Sequence, residues 1–315
     1  MQERVTPINV AGAARGTGTA ADASATRGFA FALTAYLLWG LLPFYMKAVA
    51  HIPAIEVLAH RILWSVPVAG VVLLALGRTA DIRAALRSPR TLAMAAVTAA
   101  LITVNWGTYV WAIAVDRAVE TALGYYINPL VTVALGAVLL GERLNRLQLV
   151  AVGLAAVAVI ILALDQGGVP WVSLVLAFSF AFYGYLRKTL PIGPSQGFFL
   201  EVLILTAPAL AYVIWLEARG VGHLTAAWGD FWLLAFAGPA TAIPLIFYAF
   251  GAKLLRISTL GVMQYIAPTM IAAIAVFAFH EPFGPARLLA FGLIWAALAL
   301  YTWSMLRGPA RAEEG

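Results

Sequence analysis

The sequence predicts an all-α integral membrane protein of ten transmembrane helices, arranged as two inverted five-helix repeats. Three observations lead there. Of the 315 residues, 63% are hydrophobic and 11% charged, against roughly 25% charged in an average soluble domain; lipid must therefore cover most of the surface. The apolar residues fall into runs long enough to cross roughly 30 Å of hydrocarbon, broken by short polar or Gly/Pro-containing connections. Finally, Tyr126-Ile127-Asn128-Pro129 followed by Glu142 recurs as Tyr265-Ile266-Ala267-Pro268 followed by Glu281, at an interval of 139 residues that Gly153 and Gly292 also keep.

Residues 1–28 are rich in Ala, Gly and Thr, with Arg4, Arg15 and Arg27 scattered among them and no amphipathic period. They read as a disordered cytoplasmic tail. The first apolar run begins near Phe29 and is too long for the core of a cleaved signal, so it is a retained span. The ten spans are expected at 29–49, 55–76, 91–113, 119–140, 146–164, 170–187, 196–216, 229–250, 258–279 and 285–306. The sixth ends ambiguously among Tyr183, Tyr185, Arg187 and Lys188. Residues 29–164 then form the first five-helix repeat, 170–306 the second, and 307–315 a second cytoplasmic tail.

The shift of 139 residues maps the fourth helix onto the ninth and the fifth onto the tenth. Five is odd, so the two halves run oppositely through the membrane. Secondary transporters recurrently use this architecture, because two related bundles can rock about a site near the midplane and expose it alternately. Pro129 and Pro268 are expected to kink the fourth and ninth helices near mid-membrane, since proline removes a backbone hydrogen bond and crowds the preceding turn.

With the N-terminus in the cytoplasm, the inner segments hold Arg4, Arg15, Arg27, Arg78, Arg83, Arg87, Arg90, Arg143, Arg146, Arg187, Lys188, Lys253, Arg256, Arg307 and Arg311, and the outer loops only Arg117, Arg219 and Arg287. This asymmetry puts both termini in the cytoplasm. It also accounts for the net charge of +6 without a nucleic-acid partner. The absence of cysteine excludes thiolate metal sites and a cysteine nucleophile. His51, His60 and His223 give no close ligand pair, so neither metal nor cofactor is expected.

Several constellations carry polar chemistry into the apolar runs. Glu56, His60 and Arg61 open the second helix, with Glu56 and His60 one turn apart on one face. Intramembrane charges ordinarily face a cavity or a partner; a gate, an anchor for an anionic substrate group and a proton relay are the functional readings, and interfacial snorkelling with helix pairing is the structural one. Glu201 stands alone among apolar neighbours in the seventh helix, near the opposite face, where it would suit an inner gate or proton coupling; a structural pair with a cationic loop residue is the rival reading. Asn105, Trp106 and Tyr109 in the third helix, Tyr125, Tyr126 and Asn128 in the fourth, and Gln264 and Tyr265 in the ninth offer aromatic faces with a few amides. Such a lining suits a small amphipathic or aromatic solute. Glu142 and Glu281, at span ends, read as local caps or pairs.

Two near-matches to enzyme signatures fail: Gly184-Tyr185-Leu186-Arg187-Lys188-Thr189 has arginine where a phosphate loop needs its second glycine, and His280-Glu281 lacks the second histidine of a zinc protease.

The segments Pro53-Ala54-x-Glu56-x-Leu58-x-His60-Arg61, Asn105-Trp106, Leu123-Gly124-Tyr125-Tyr126-Ile127-Asn128-Pro129-Leu130, Gly141-Glu142-Arg143, 176–184 and 255–261 together resemble a RarD-type permease of the EamA family, in the drug/metabolite transporter superfamily. The resemblance runs from the first helix to the tenth. It implies a bacterial inner-membrane exporter of small molecules built from two EamA-type halves, linked to chloramphenicol sensitivity. His280 departs from the family pattern, which usually has a small residue before the glutamate, as Gly141 stands before Glu142; no shared role for Glu142 and Glu281 follows.

The sequence thus predicts a secondary active transporter of drug-like or metabolite solutes working by alternating access, with a small-molecule substrate, the lipid bilayer as its surroundings and proton coupling as one way to drive it. The competing readings are an intramembrane enzyme with Glu56 and His60 as an acid–base pair on a hydrophobic substrate, and a passive channel or scaffold. Physiological substrate, direction, coupling ion and oligomeric state have no signature in the sequence.

Overall fold

The structure is a computed structural model that describes residues 13–75, 77, 79–140, 144–165, 167–255 and 263–307. All regular structure among these is helical: α1 Ala13–Ala48, α2 Ala54–Ala75, α3 Thr79–Leu86, α4 Pro89–Ala114, α5 Ala118–Leu140, α6 Arg146–Asp165, α7 Trp171–Thr189, α8 Pro194–Ala218, α9 Trp228–Leu254, α10 Ile266–Ala273 running into a π-helical turn Ile274–Ala278, and α11 Pro285–Arg307. Eight are long and apolar enough to cross a membrane, and Trp171–Arg187 and Ile266–Ala278 are shorter apolar helices. These two lie where the sixth and ninth spans were expected. The short α3 interrupts what reads in the sequence as a plain connection. The apolar part of α1 is Thr26–Ala48, but the helix itself starts at Ala13, inside the segment expected as a disordered tail; its alanines are the strongest helix formers.

Local chemistry sets the helix starts. The Ser88 hydroxyl accepts from Thr91 N at 3.3 Å ahead of Pro89, the side-chain cap and first-turn proline that open helices best. Asn145 and Gln148 exchange bonds reciprocally, Oδ1 accepting from Gln148 N at 2.9 Å and Oε1 from Asn145 N at 3.0 Å, so α6 begins with a capping box. Pro129 lies inside a continuous α5. Pro268 acts differently from the expected mid-helix kink. It lies in the first turn of α10, whose N-cap is Tyr265, behind a turn at Gln264 and Tyr265. A proline ring excludes the carbonyl four residues back, here that of Gln264, so the helix starts afresh.

The bundle is held by α1 against α9 and α10, α2 against α8 and α9, α4 against α7 and α8, α5 against α7 and α10, and α6 against α11. Small residues set the closest of these approaches, as in other membrane helix pairs. A Cβ at Gly238 would stand 2.1 Å from the Trp64 carbonyl oxygen of α2, and one at Gly124 2.8 Å from the Ser173 oxygen of α7. The main core joins Leu42, Val57, Tyr109, Leu123, Tyr126, Leu176, Leu234, Ile271 and Phe291. Large apolar side chains such as Val138 at 80% and Phe277 at 78% exposure are left for lipid.

Gly238→Ala is expected to destabilise the detergent-purified protein by about 1–3 kcal/mol, the usual cost of overpacking, seen as a lower midpoint of thermal unfolding. Gly292→Ala, where a Cβ meets nothing within 4 Å, should leave the midpoint unchanged or raise it.

Candidate functional site

The polar residues of the spans form three groups along the bundle, with a groove beside them. At one end, where the connections 49–53, 115–117, 219–227 and 279–284 meet, carboxylates tie the loops together. Glu56, 1% exposed, accepts from His223 N at 2.7 Å and faces His223 Nδ1 at 2.8 Å. His51 Nε2 meets Asp230 at 2.8 Å, Lys47 pairs with Asp116, and Arg117 grips Glu120 through two bonds of 2.6 and 2.8 Å. Glu281 accepts from Ala118 N and Val119 N at 2.7 and 2.9 Å. It thereby satisfies orphan amides at the start of α5 from the far end of the chain. His280 before it has φ of 55°, a left-handed conformation that glycine adopts without steric cost. Glu142 lies outside the described residues.

The middle group lies among α1, α2, α4, α5 and α7. The Arg61 guanidinium sits 4.7 Å from the Trp106 ring centroid, with Tyr125, Tyr109 and Tyr45 around it. Arg61 is 5% exposed. Its Nε and Nη1 are fully buried and, like the Tyr109 hydroxyl and both ring nitrogens of His60, have no hydrogen-bond partner among the described residues. Tyr125 donates to Asn105 Oδ1 at 3.3 Å, and its ring lies 6.0 Å from that of Tyr109. Asn105 donates in turn to Leu176 O at 3.1 Å and to Ser179 Oγ at 3.0 Å. Asn128 donates to Ala177 O at 3.0 Å. Both asparagines thus bind one stretch of α7 backbone through their amide nitrogens.

The third group surrounds Glu201, 1% exposed, towards the other end. Tyr183 donates to it at 3.0 Å and Arg187 Nη1 at 3.3 Å. In the sequence Tyr183 and Arg187 mark the ambiguous end of the sixth span and Arg187 counts among the inner charges; it is the cationic partner that the rival reading of Glu201 requires. The i, i+4 spacing of Tyr183 and Arg187, which puts both on one face of α7, is the signal that pointed to a shared partner. His223, set aside as lacking a metal partner, is the other residue missed.

Tyr126, Gln264 and Tyr265 lie elsewhere. The Tyr126 and Tyr265 rings stack at 6.4 Å and 20°, Tyr126 bonds Thr269, and with Trp295 and Trp303 they line a groove of about 380 Å³ that opens at the surface between α5, α10 and α11. Gln264 is half-buried in the turn before α10. The eight candidate substrate residues are therefore split: Asn105, Trp106, Tyr109 and Tyr125 gather at Arg61, Asn128 ties α5 to α7, Tyr126 and Tyr265 line the groove, and Gln264 lies in the turn before α10. No three His, Asp or Glu side chains among the described residues are placed to hold a metal ion.

A model of the EamA-like transporter family matches residues 26–164. Protein RarD of Streptomyces exfoliatus is 46% identical over 91% of this chain and 91% of its own length, and the chloramphenicol-sensitive protein RarD of Pseudomonas aeruginosa is 31% identical over 89% and 95%. This chain belongs to the RarD-type members of the EamA-like transporter family. A solved crystal structure, 20% identical, matches 91% of this chain and 99% of that one with a TM-score of 0.59, a likeness of fold alone. RarD-type membership together with the apolar helices makes the chain a multi-pass bacterial membrane transporter. The Glu281 cap, the Asn105 and Asn128 ties and the Arg61 cluster are thus features of a RarD-type transporter.

Glu281→Ala leaves two amides at the start of α5 without an acceptor and should cost about 1–3 kcal/mol, the penalty for unmet buried donors. Glu281→Gln, which keeps one acceptor oxygen, should recover part of the loss in the same thermal unfolding measurement.

Proposed function

We propose that the chain is a secondary active transporter that exports small drug-like or metabolite solutes by alternating access. In this reading ten spans form two inverted halves, residues 29–164 and 170–306, with cytoplasmic tails at 1–28 and 307–315. The observation that carries it is a set of helix pairings that survives exchange of the halves, although the pairing of α2 with α4 has no comparable counterpart between α8 and α9. The shift of 139 residues turns α1 into α7, α2 into α8, α4 into α9, α5 into α10 and α6 into α11. The contact of α1 with α9 then corresponds to that of α7 with α4, α5 with α7 to α10 with α1, and α2 with α9 to α8 with α4; α2 with α8, α5 with α10 and α6 with α11 map onto themselves. Two bundles related in this way can rock against each other. The family match, which ends at residue 164, fits the same division.

The polar groups then take roles by position. Glu56 bridges the halves through His223 and serves as the gate at the end read as outer, with His60 and Arg61 behind it. Glu201, held by Tyr183 and Arg187 near the opposite end, is the inner group and the site of proton coupling: protonation cancels its charge and weakens its hold on Arg187. Asn105, Trp106, Tyr109 and Tyr125 around Arg61 line the solute path; Tyr126 and Tyr265 line the separate groove, with Gln264 in the turn before α10 and Asn128 holding α5 to α7. The fresh start of α10 at Pro268 and the proline of α5 at Pro129 let those helices flex. Both oxygens of Glu56 face His223 rather than His60, which weighs against the acid–base pair of the enzyme reading.

The relative named for chloramphenicol sensitivity supplies a first probe. Release of labelled chloramphenicol from preloaded proteoliposomes should saturate, exceed release from protein-free liposomes and respond to a pH gradient; Glu201→Gln should fold normally and lose the gradient response. An unchanged response in that variant removes Glu201 from coupling. Release no faster than from empty liposomes removes this drug as a substrate.

A further inference from the structure

Arg61 presents a problem that its surroundings do not solve. An ion moved into an apolar interior carries a penalty of several kcal/mol even after relaxation, and the contact with Trp106 returns only about 0.5–2 kcal/mol. The buried carboxylates of the described chain are all committed elsewhere: Glu56 to His223, Glu120 to Arg117, Glu201 to Tyr183 and Arg187, and Glu281 to the amides of α5. The Tyr109 hydroxyl, on the helix that carries Trp106, is also buried without a partner. A positive charge and a neutral donor therefore stand together, enclosed by aromatic rings, in the first half of the bundle.

We propose that this cluster binds an anionic group of the solute, a carboxylate, making the physiological cargo an organic anion with an apolar or aromatic body. Arg61 supplies the charge-assisted hydrogen bonds, Tyr109 donates to the same group, and the rings of Trp106 and Tyr125 flank the body. A carboxylate neutralises Arg61 and accepts its protons; a neutral solute leaves the charge in place, and a cation is repelled. The inference rests on the transporter reading above and adds the charge of the cargo. His60, next in sequence, projects about 100° away around α2 and has no part in it.

The test uses the full-length protein in lipid nanodiscs and two matched pairs of probes, indole-3-acetate with indole-3-acetamide and 4-nitrobenzoate with 4-nitrobenzamide, with binding followed by calorimetry. In at least one pair the carboxylate should bind about ten- to a hundredfold tighter than its amide, the range of a hydrogen bond to a charged group. Arg61→Gln should abolish that preference and Arg61→Lys should retain part of it. If Arg61→Gln fails to fold, Tyr109→Phe, which removes one hydroxyl, should weaken the carboxylate severalfold and leave the amide unchanged. Equal binding within both pairs, or a preference that survives Arg61→Gln or is untouched in Tyr109→Phe, overturns the assignment. The chloramphenicol release assay separates the two claims. Saturable release without any carboxylate preference refutes the anion site and leaves the transporter, whereas Arg61-dependent carboxylate binding without transport of either acid refutes the transporter and leaves the site.

Discussion

Hydrocarbon offers no hydrogen bonds, so every polar group that enters it must find a partner within the protein. The rest of the structure follows from this requirement. The backbone meets it by being helical, and the side chains meet it in pairs: Asn105 and Asn128 on the carbonyls of α7, Ser173 on Glu120 O at 2.8 Å, Glu281 on the amides of α5. Because nearly all buried polar atoms are paired, the exceptions stand out. The unmet atoms of Arg61 and Tyr109 belong to neighbouring side chains, where a transporter needs something for its solute to bind.

The same economy shapes how the halves are joined. Bonds of Asn105, Asn128, Glu56 and Glu281 run between residues more than seventy apart in the chain, except that of Asn128, which is forty-nine away, and each ties a helix or connection of the first half to one of the second. Their strength is modest, since interhelical hydrogen bonds in membranes average about 0.6 kcal/mol. Packing of small residues does more to hold the helices, with Gly238 against Trp64 O and Gly124 against Ser173 O. Firm contact surfaces joined by weak, specific polar ties suit two bodies that must rock without separating.

The sequence made the apolar framework legible because a run long enough to cross hydrocarbon is a local signal, and eight of the expected spans fall on helices long and apolar enough to cross a membrane. It also showed which residues carry polar chemistry, since an isolated Glu201 or Arg61 among apolar neighbours is conspicuous. Partners were harder to read. Nothing near Glu281 indicates that it serves Ala118 and Val119, and nothing near Asn128 indicates a carbonyl at Ala177, because such pairings depend on how helices are packed. Adjacent residues on one helix also part company: Tyr125 faces Asn105 and Arg61, while Tyr126 faces Thr269 and Tyr265. Position in the sequence grouped them as one lining, and helical geometry divides them.

The central claim is that the two ends open in turn. The chain has no cysteine, so pairs of spin labels can be introduced without removing native thiols. One pair belongs at Ile55 and Val221, both exposed and beside the Glu56–His223 tie; the other at Leu86 and Pro191, next to Ala85 and Leu190, which pack together towards the other end. Each pair joins the first half to the second. In lipid nanodiscs, pulsed dipolar spectroscopy with and without solute and across a step in pH should show the two distances changing in opposite directions. Distances that stay fixed, or that widen together, would contradict the account.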